Sequence, residues 1–174
     1  MRMRIPLRGL GGDERGAAAV EFALWSALFF VVVLVALDFG MYRLYQLRLS
    51  SAVAEGAMLS FNSRSSLSDS SMTGILNYVQ AAPGLPGTAP TVTVSCNAAS
   101  GGACVSSGRT CKCLSNGNFT SGTMTCGDPC SGSTAGTAGY YLVLNARYTY
   151  HPVIVPNRWL SNRAMQERAV VRLQ

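Results

Sequence analysis

Residues 17–37 read AAAVEFALWSALFFVVVLVAL, and this long apolar stretch determines the architecture of the chain. Its only polar side chains are Glu21 and Ser26. A helix of this length rises about 30 Å, which matches the hydrocarbon core of a bilayer. A cleaved secretory signal would have a shorter apolar core with small residues after it, whereas this stretch leads into Asp38-Phe39-Gly40. The segment is therefore predicted to stay attached as a transmembrane helix.

Arginines flank the apolar stretch unequally. Four precede it and two follow it closely: Arg2, Arg4, Arg8 and Arg15 before it, and Arg43 and Arg48 after it. Basic residues near the ends of a membrane helix favour the cytoplasmic side. We therefore expect the N-terminus to be cytoplasmic and the rest of the chain to lie across the membrane.

The helical pattern continues beyond the apolar stretch. Residues 41–49 contain no Gly or Pro, and Val53, Ala57 and Phe61 keep a helical spacing. The pattern predicts one helix over residues 17–61, with its first half in lipid and its second half projecting outward.

The six cysteines all lie in one Gly- and Ser-rich segment, residues 96–130: Cys96, Cys104, Cys111, Cys113, Cys126 and Cys130. An even number of cysteines in such a segment is typical of a disulfide framework in an oxidising compartment. The pairing stays open. A zinc site is the alternative, but the spacings lack CxxC pairs and the single histidine, His151, is remote. Cys111-Lys112-Cys113 as a redox pair is a further alternative, although redox motifs normally read CxxC.

The remaining pattern predicts a small domain. A serine-rich linker over 62–71 precedes a short helix over 73–82, and alternating β-branched residues predict a strand over 91–94 that leads into Cys96. Residues 140–150 form the strongest strand, with its apolar face made of Leu142, Leu144, Ala146, Tyr148 and Tyr150. Residues 167–173 predict a closing strand, with a helix as the alternative. The fold class is thus α+β: a long N-terminal transmembrane helix, then a small antiparallel sheet packed on its outer half, with a disulfide-rich loop region.

Composition and motifs argue against several functions. The net charge of +6 is not gathered into a patch, and no nucleic-acid-binding motif accompanies it, so no nucleic-acid partner is expected. The sequence contains no glycine-rich phosphate loop, HExxH, GxSxG or paired carboxylates. We expect no catalytic residue, metal or cofactor, and hence no enzyme.

The segment Arg15-Gly16-Ala17-Ala18-Ala19-Val20-Glu21-Phe22, followed by the apolar stretch, resembles the TadE-like minor pseudopilins of the tight-adherence (Tad) pilus, a type IV pilin-like family. Asp38-Phe39-Gly40 resembles the end of that family's anchor, and a weaker match lies at Tyr148-Thr149-Tyr150-His151-Pro152. The resemblance implies a basic leader, residues 1–16, that a prepilin peptidase removes between Gly16 and Ala17. It also implies that Glu21, fifth in the mature chain, pairs with the α-amine of a neighbouring subunit. Type IV pilins favour Phe at the first mature position, where this chain has Ala17.

The resemblance further implies a role and partners. The expected role is that of a minor pilin-like component of a Tad-type pilus assembly and secretion system, acting in pilus biogenesis and adhesion. The implied partners are other pilin-like subunits, the major pilin, the assembly platform, the prepilin peptidase and the membrane. The chain would be a single-pass inner-membrane protein with residues 62–174 periplasmic or extracellular, and it could also enter the pilus. The alternative is a single-span protein that displays a disulfide-rich binding or sensor domain.

Overall fold

The computed structural model describes residues 14–97, 104, 107–131, 136–152 and 164–174. Helix α1 runs without interruption over Glu14–Asn62, 49 residues, a length of about 70 Å. The predicted single helix over 17–61 is therefore confirmed, and the helix starts slightly earlier. Residues 1–13, which hold most of the predicted leader, lie outside the described part.

The residues after α1 that the structure describes cover only the outer half of this helix. None of the residues from 16 to 37 is buried, and the most apolar 18-residue window of this helix has a mean hydropathy of 2.5 with none of it buried in the protein. Beyond this point the buried positions of α1 follow a helical spacing: Asp38, Leu49, Ala52, Val53, Gly56 and Ser60. The core helix of a soluble protein would be mostly buried, so the exposed apolar half points to a membrane anchor.

Helix α2 spans Asp69–Ala81 and begins earlier than the sequence pattern predicted. Its first turn lies within the serine-rich stretch, for which the composition predicts a linker or surface loop. Ser68 is the N-cap: its hydroxyl accepts from the backbone N–H of Ser71, and the Ser71 hydroxyl accepts from the backbone N–H of Ser68. This reciprocal capping satisfies N–H groups that a helix start leaves without partners. The serines therefore favour a helix that begins within this stretch rather than after it.

Five strands follow in the described part of the chain. They are β1 (Thr91–Cys96), β2 (Leu114–Ser115), β3 (Asn118–Phe119), β4 (Tyr141–Thr149) and β5 (Ala164–Arg172). An antiparallel sheet has the order β1-β4-β5, so β4 is central, and Leu144 lies opposite Val94 on one side and Ala169 on the other. The closing element is a strand, which excludes the helix alternative.

The predicted apolar face of β4 is the centre of the core. Leu142, Leu144, Ala146, Tyr148 and Tyr150 are each at most 3% exposed. They share one cluster with side chains from the two helices: Leu49 and Val53 of α1, and Ile75 and Val79 of α2. The α+β class and the small antiparallel sheet are thus confirmed, and both β4 and β5 contact α1.

A two-stranded hairpin, β2–β3, lies in the cysteine-rich segment and was not predicted. Asn116 and Gly117 form its turn, and both have positive φ, 49° and 80°. Asn-Gly is the preferred pair for such a turn because both residues tolerate this conformation. The signal for the hairpin was therefore present in the sequence.

Candidate functional site

The predicted processing and pairing residues all lie near the start of α1. Gly16, Ala17 and Glu21 are helical and exposed. Ala17 and Glu21 are four residues apart, so they share one face of the helix, about one turn from each other. A new α-amine at Ala17 and the Glu21 carboxylate would therefore lie on the same side of the anchor, with a depth difference of about 6 Å.

Glu21 lies in the half of α1 that no other described residue covers. Large apolar side chains surround it on the helix surface and are more than half exposed, among them Val20, Phe22, Leu24 and Trp25. A carboxylate in such a setting has no protein surface over it within the described part of the chain. Whatever neutralises it in a bilayer must come from lipid headgroups, from the helix N-terminus, which favours negative charge, or from another molecule.

The six cysteines form three disulfides. The pairs are Cys96–Cys104, Cys111–Cys126 and Cys113–Cys130, and no cysteine is free. The predicted disulfide framework is confirmed, and the zinc alternative is excluded because no thiolate remains to bind a metal. Cys111 and Cys113 pair with different partners, so the CxC redox alternative is wrong as well.

The disulfide-bonded segment is attached to the sheet through backbone pairing. Cys111 exchanges backbone hydrogen bonds with Met124, at 3.1 and 2.9 Å, while Lys112 exchanges two with Gly139, both 3.0 Å. The CxC segment thus lies between two neighbours, as a short strand would. Cys111 and Cys113 are two residues apart and so share one face of this segment, and each forms a disulfide with a different cysteine further along the chain.

Asn97 is a structural residue that the sequence reasoning missed. Its backbone adopts a φ of 53° directly after β1, its side-chain oxygen accepts from the Tyr141 N–H at 3.0 Å, and its amide nitrogen donates to the Thr110 carbonyl at 2.6 Å. The residue is 6% exposed. Asn is one of the few residues that tolerate positive φ, so an Asn after a strand and a cysteine was an available signal.

The described residues show no catalytic arrangement. They contain no group of three or more His, Cys, Asp or Glu side chains that could hold a metal ion. His151 is exposed. Nothing in this part of the chain shows catalytic activity.

The architecture defines a class of protein: a single long N-terminal helix, apolar and uncovered in its first half, which carries a small disulfide-bonded α+β domain on its second half. The model of the family described as "TadE-like protein" matches residues 16–58, about a quarter of the chain. The resemblance found in the sequence is confirmed over this segment, which begins at Gly16. The family points to a pilin-like protein associated with a Tad pilus and with membrane partners, and it is a structural family.

The matched segment is most of α1, so the family match covers the anchor and the outer half of the helix, while the disulfide-bonded domain lies beyond it. No curated protein and no solved structure matches the chain.

Proposed function

We propose that this protein is a minor pilin-like component of a Tad-type pilus assembly and secretion system, acting in pilus biogenesis and adhesion. The observation that carries the proposal is the apolar half of α1 that the described domain leaves uncovered. Gly16 and Glu21 lie near its start, and the match to the TadE-like family begins at Gly16. An apolar helix surface of this size is unstable in water and needs lipid or other helices around it.

The proposal divides the chain into three segments. Residues 1–16 form a basic leader that a prepilin peptidase removes, residues 17–61 form the membrane and outer helix, and residues 62–174 form the domain on the far side. The excess of arginines before the apolar stretch and the three disulfides both support an N-terminus in the cytoplasm and a domain in the periplasm or outside the cell.

Cleavage is tested by the mass of the protein isolated from cells that contain the peptidase. The expected N-terminus is Ala17. Gly16→Leu should block cleavage while membrane insertion continues, because insertion depends on the apolar stretch; Gly40→Leu, at another exposed glycine of the same helix, is the matched control and should be cleaved normally. An intact Met1 terminus on the wild-type protein would contradict the processing step.

The assembly role is tested at Glu21. In a fibre or membrane complex its carboxylate would neutralise the α-amine of a neighbouring subunit, in surroundings where opposite charges attract strongly. Removing one partner of such a buried pair costs several kcal/mol, about 3–5 in known cases. Glu21→Ala should therefore strongly reduce pilus production and copurification with other pilin-like subunits.

The control is Ser26→Ala, which changes the other polar residue of the apolar stretch without changing charge. It should leave piliation normal. Normal piliation with Glu21→Ala, at a normal protein level, would contradict the pairing role. That result would favour the second candidate, a single-span protein that displays its disulfide-rich domain for binding or sensing.

A further inference from the structure

Asp38 marks the point where the outer domain begins to cover α1. It is 1% exposed, and none of the residues from 16 to 37 is buried. The apolar stretch ends at Leu37, so the first covered position of the helix coincides with the end of the membrane segment. A carboxyl group buried at this point requires a specific hydrogen-bonding environment.

Tyr150 supplies part of that environment. Its hydroxyl donates to the backbone carbonyl of Asp38 at 3.1 Å and lies 3.4 Å from the carboxylate oxygen Oδ1 of the same residue. In an α-helix this carbonyl already accepts from the N–H four residues later, so the tyrosine uses the second lone pair of the oxygen. Tyr150 is itself 1% exposed.

Two aromatic rings of α1 enclose the contact. The Tyr150 ring packs edge-on against Tyr42, with centroids 5.4 Å apart, and at a tilt against Tyr45 at 5.8 Å. Burial raises the pKa of Tyr150 to about 12, and the nearby Asp38 adds to the shift. The hydroxyl therefore remains a hydrogen-bond donor at physiological pH.

The contact between Asp38 and Tyr150 connects α1 to the end of the central strand of the sheet. Tyr150 directly follows β4, the central strand of the sheet. Further along α1, the buried contacts with the outer domain are apolar, such as those of Leu49 and Val53, and the Tyr78 hydroxyl of α2 donates to the Glu55 carboxylate at the exposed surface. Apolar contacts do not by themselves fix direction. A hydrogen bond has a defined length and angle, so it can fix both the rotation and the axial position of the sheet on the helix.

We propose that Asp38 and Tyr150 form a joint that holds the outer domain in one position on α1 at the membrane boundary. With the joint closed, the anchor and the domain move as one body, so a rotation or pull on the membrane helix is passed directly to the domain. The inference goes beyond the proposed function and does not depend on pilus assembly.

The test measures distances in the full chain, reconstituted in lipid nanodiscs. Spin labels are attached to keto amino acids at Leu47 on α1 and Ser121 in the outer domain, both exposed, which leaves the six cysteines untouched. Wild-type protein should give one narrow distance distribution. Tyr150→Phe should add a second, broader population, because the loss of one buried hydrogen bond shifts an equilibrium about tenfold.

Tyr148→Phe is the matched control. Tyr148 lies on the same face of β4 and is 3% exposed, but its hydroxyl donates to the Pro86 carbonyl at 2.7 Å and not to Asp38. This variant should lower the thermal stability of the domain and leave the distance distribution narrow. If Tyr150→Phe does not fold, as judged by near-ultraviolet circular dichroism, Asp38→Ala is measured instead. It removes the carboxylate oxygen at 3.4 Å and leaves the carbonyl acceptor at 3.1 Å, so a smaller second population is expected, and a single narrow distribution would overturn the joint.

A Tyr150→Phe protein that folds and keeps a single narrow distribution would overturn the joint. So would equal broadening in Tyr150→Phe and Tyr148→Phe, because the effect would then be a general loosening of the sheet. Neither result bears on cleavage at Gly16 or on the effect of Glu21→Ala, since the nanodisc sample contains no pilus. The failure of the joint and the failure of the proposed function can thus be told apart.

Discussion

Gly56 lies where α1 packs tightly against α2 and β4, and Gly56→Ala tests that packing directly. A Cβ atom added at Gly56 would lie closer than 3.0 Å to Cγ2 of Val79 and 3.1 Å from Cδ2 of Leu144. Real Cβ atoms essentially never come as close as the first of these distances. Both neighbours are fully buried, so neither has free space to move into.

Two effects of opposite sign decide the result. Alanine is the better helix former, by about 1 kcal/mol. Overpacking a buried site costs about 1–3 kcal/mol. Val79 is itself helical, where valine has one strongly preferred χ1 rotamer, so it cannot turn its methyl group away without strain. We therefore expect Gly56→Ala to lower the free energy of unfolding by up to about 2 kcal/mol.

Gly74→Ala in α2 is the matched control, since a Cβ there meets nothing within 4 Å. It should raise the free energy of unfolding by up to about 1 kcal/mol. The measurement is urea unfolding of the full chain in detergent, with disulfides intact, followed by the near-ultraviolet circular dichroism of the tyrosines. In a Val79→Ala background, Gly56→Ala should cost less, because the crowding methyl group is gone. Equal effects of the two glycine substitutions would refute the packing argument.

Two further predictions concern the outer domain. The pKa of Tyr150 is raised from 10.0 to about 12, so its stabilising contribution should be complete below pH 10 and be lost as the pH rises through about 12. Tyr150→Phe should lack this part of the alkaline unfolding transition. An alkaline transition that is the same in the wild type and in Tyr150→Phe would contradict the prediction. Replacing Cys113 and Cys130 together by alanine should lower the free energy of unfolding by about 2–4 kcal/mol, as measured by the same urea titration. The helical circular dichroism signal of the anchor should persist. An unchanged free energy of unfolding would show that this disulfide does not stabilise the fold.

Elements with a strong local pattern could be predicted from the sequence. The apolar stretch before Asp38 predicted the long helix, and the alternation from Tyr140 to Tyr150 predicted the central strand and its buried face. Both patterns succeed because burial follows the period of the element, 3.6 residues in a helix and two in a strand. The disulfides could also be predicted, because an even number of cysteines in a Gly- and Ser-rich segment can be recognised from composition without knowledge of the folded geometry.

Contacts between distant parts of the chain could not be predicted in this way. The sequence leaves the pairing of the cysteines open. The bridges between Cys111 and Met124 and between Lys112 and Gly139 likewise join residues with no local pattern to connect them. Asp38 and Tyr150 are 112 residues apart. Both lie in segments that carried the family resemblance, yet nothing in either segment indicates that they touch. The early start of α2 was missed for a different reason, because serine favours both loops and helix N-caps.

The two acidic residues at the ends of the apolar stretch show how the fold assigns different roles to similar side chains. Asp38 lies under the outer domain, where Tyr150 contacts it. Glu21 lies about 25 Å along the helix from Asp38, in the half that this domain does not reach. A charge exposed to lipid costs up to about 3 kcal/mol at the centre of a membrane and less near its edge. The chain compensates the first acid within its own fold. Within the described part of the chain, the N-terminus of α1 favours the negative charge of Glu21, and any further compensation must come from lipid headgroups or from another molecule. That requirement is the physical reason to expect Glu21, rather than Asp38, to respond to other subunits.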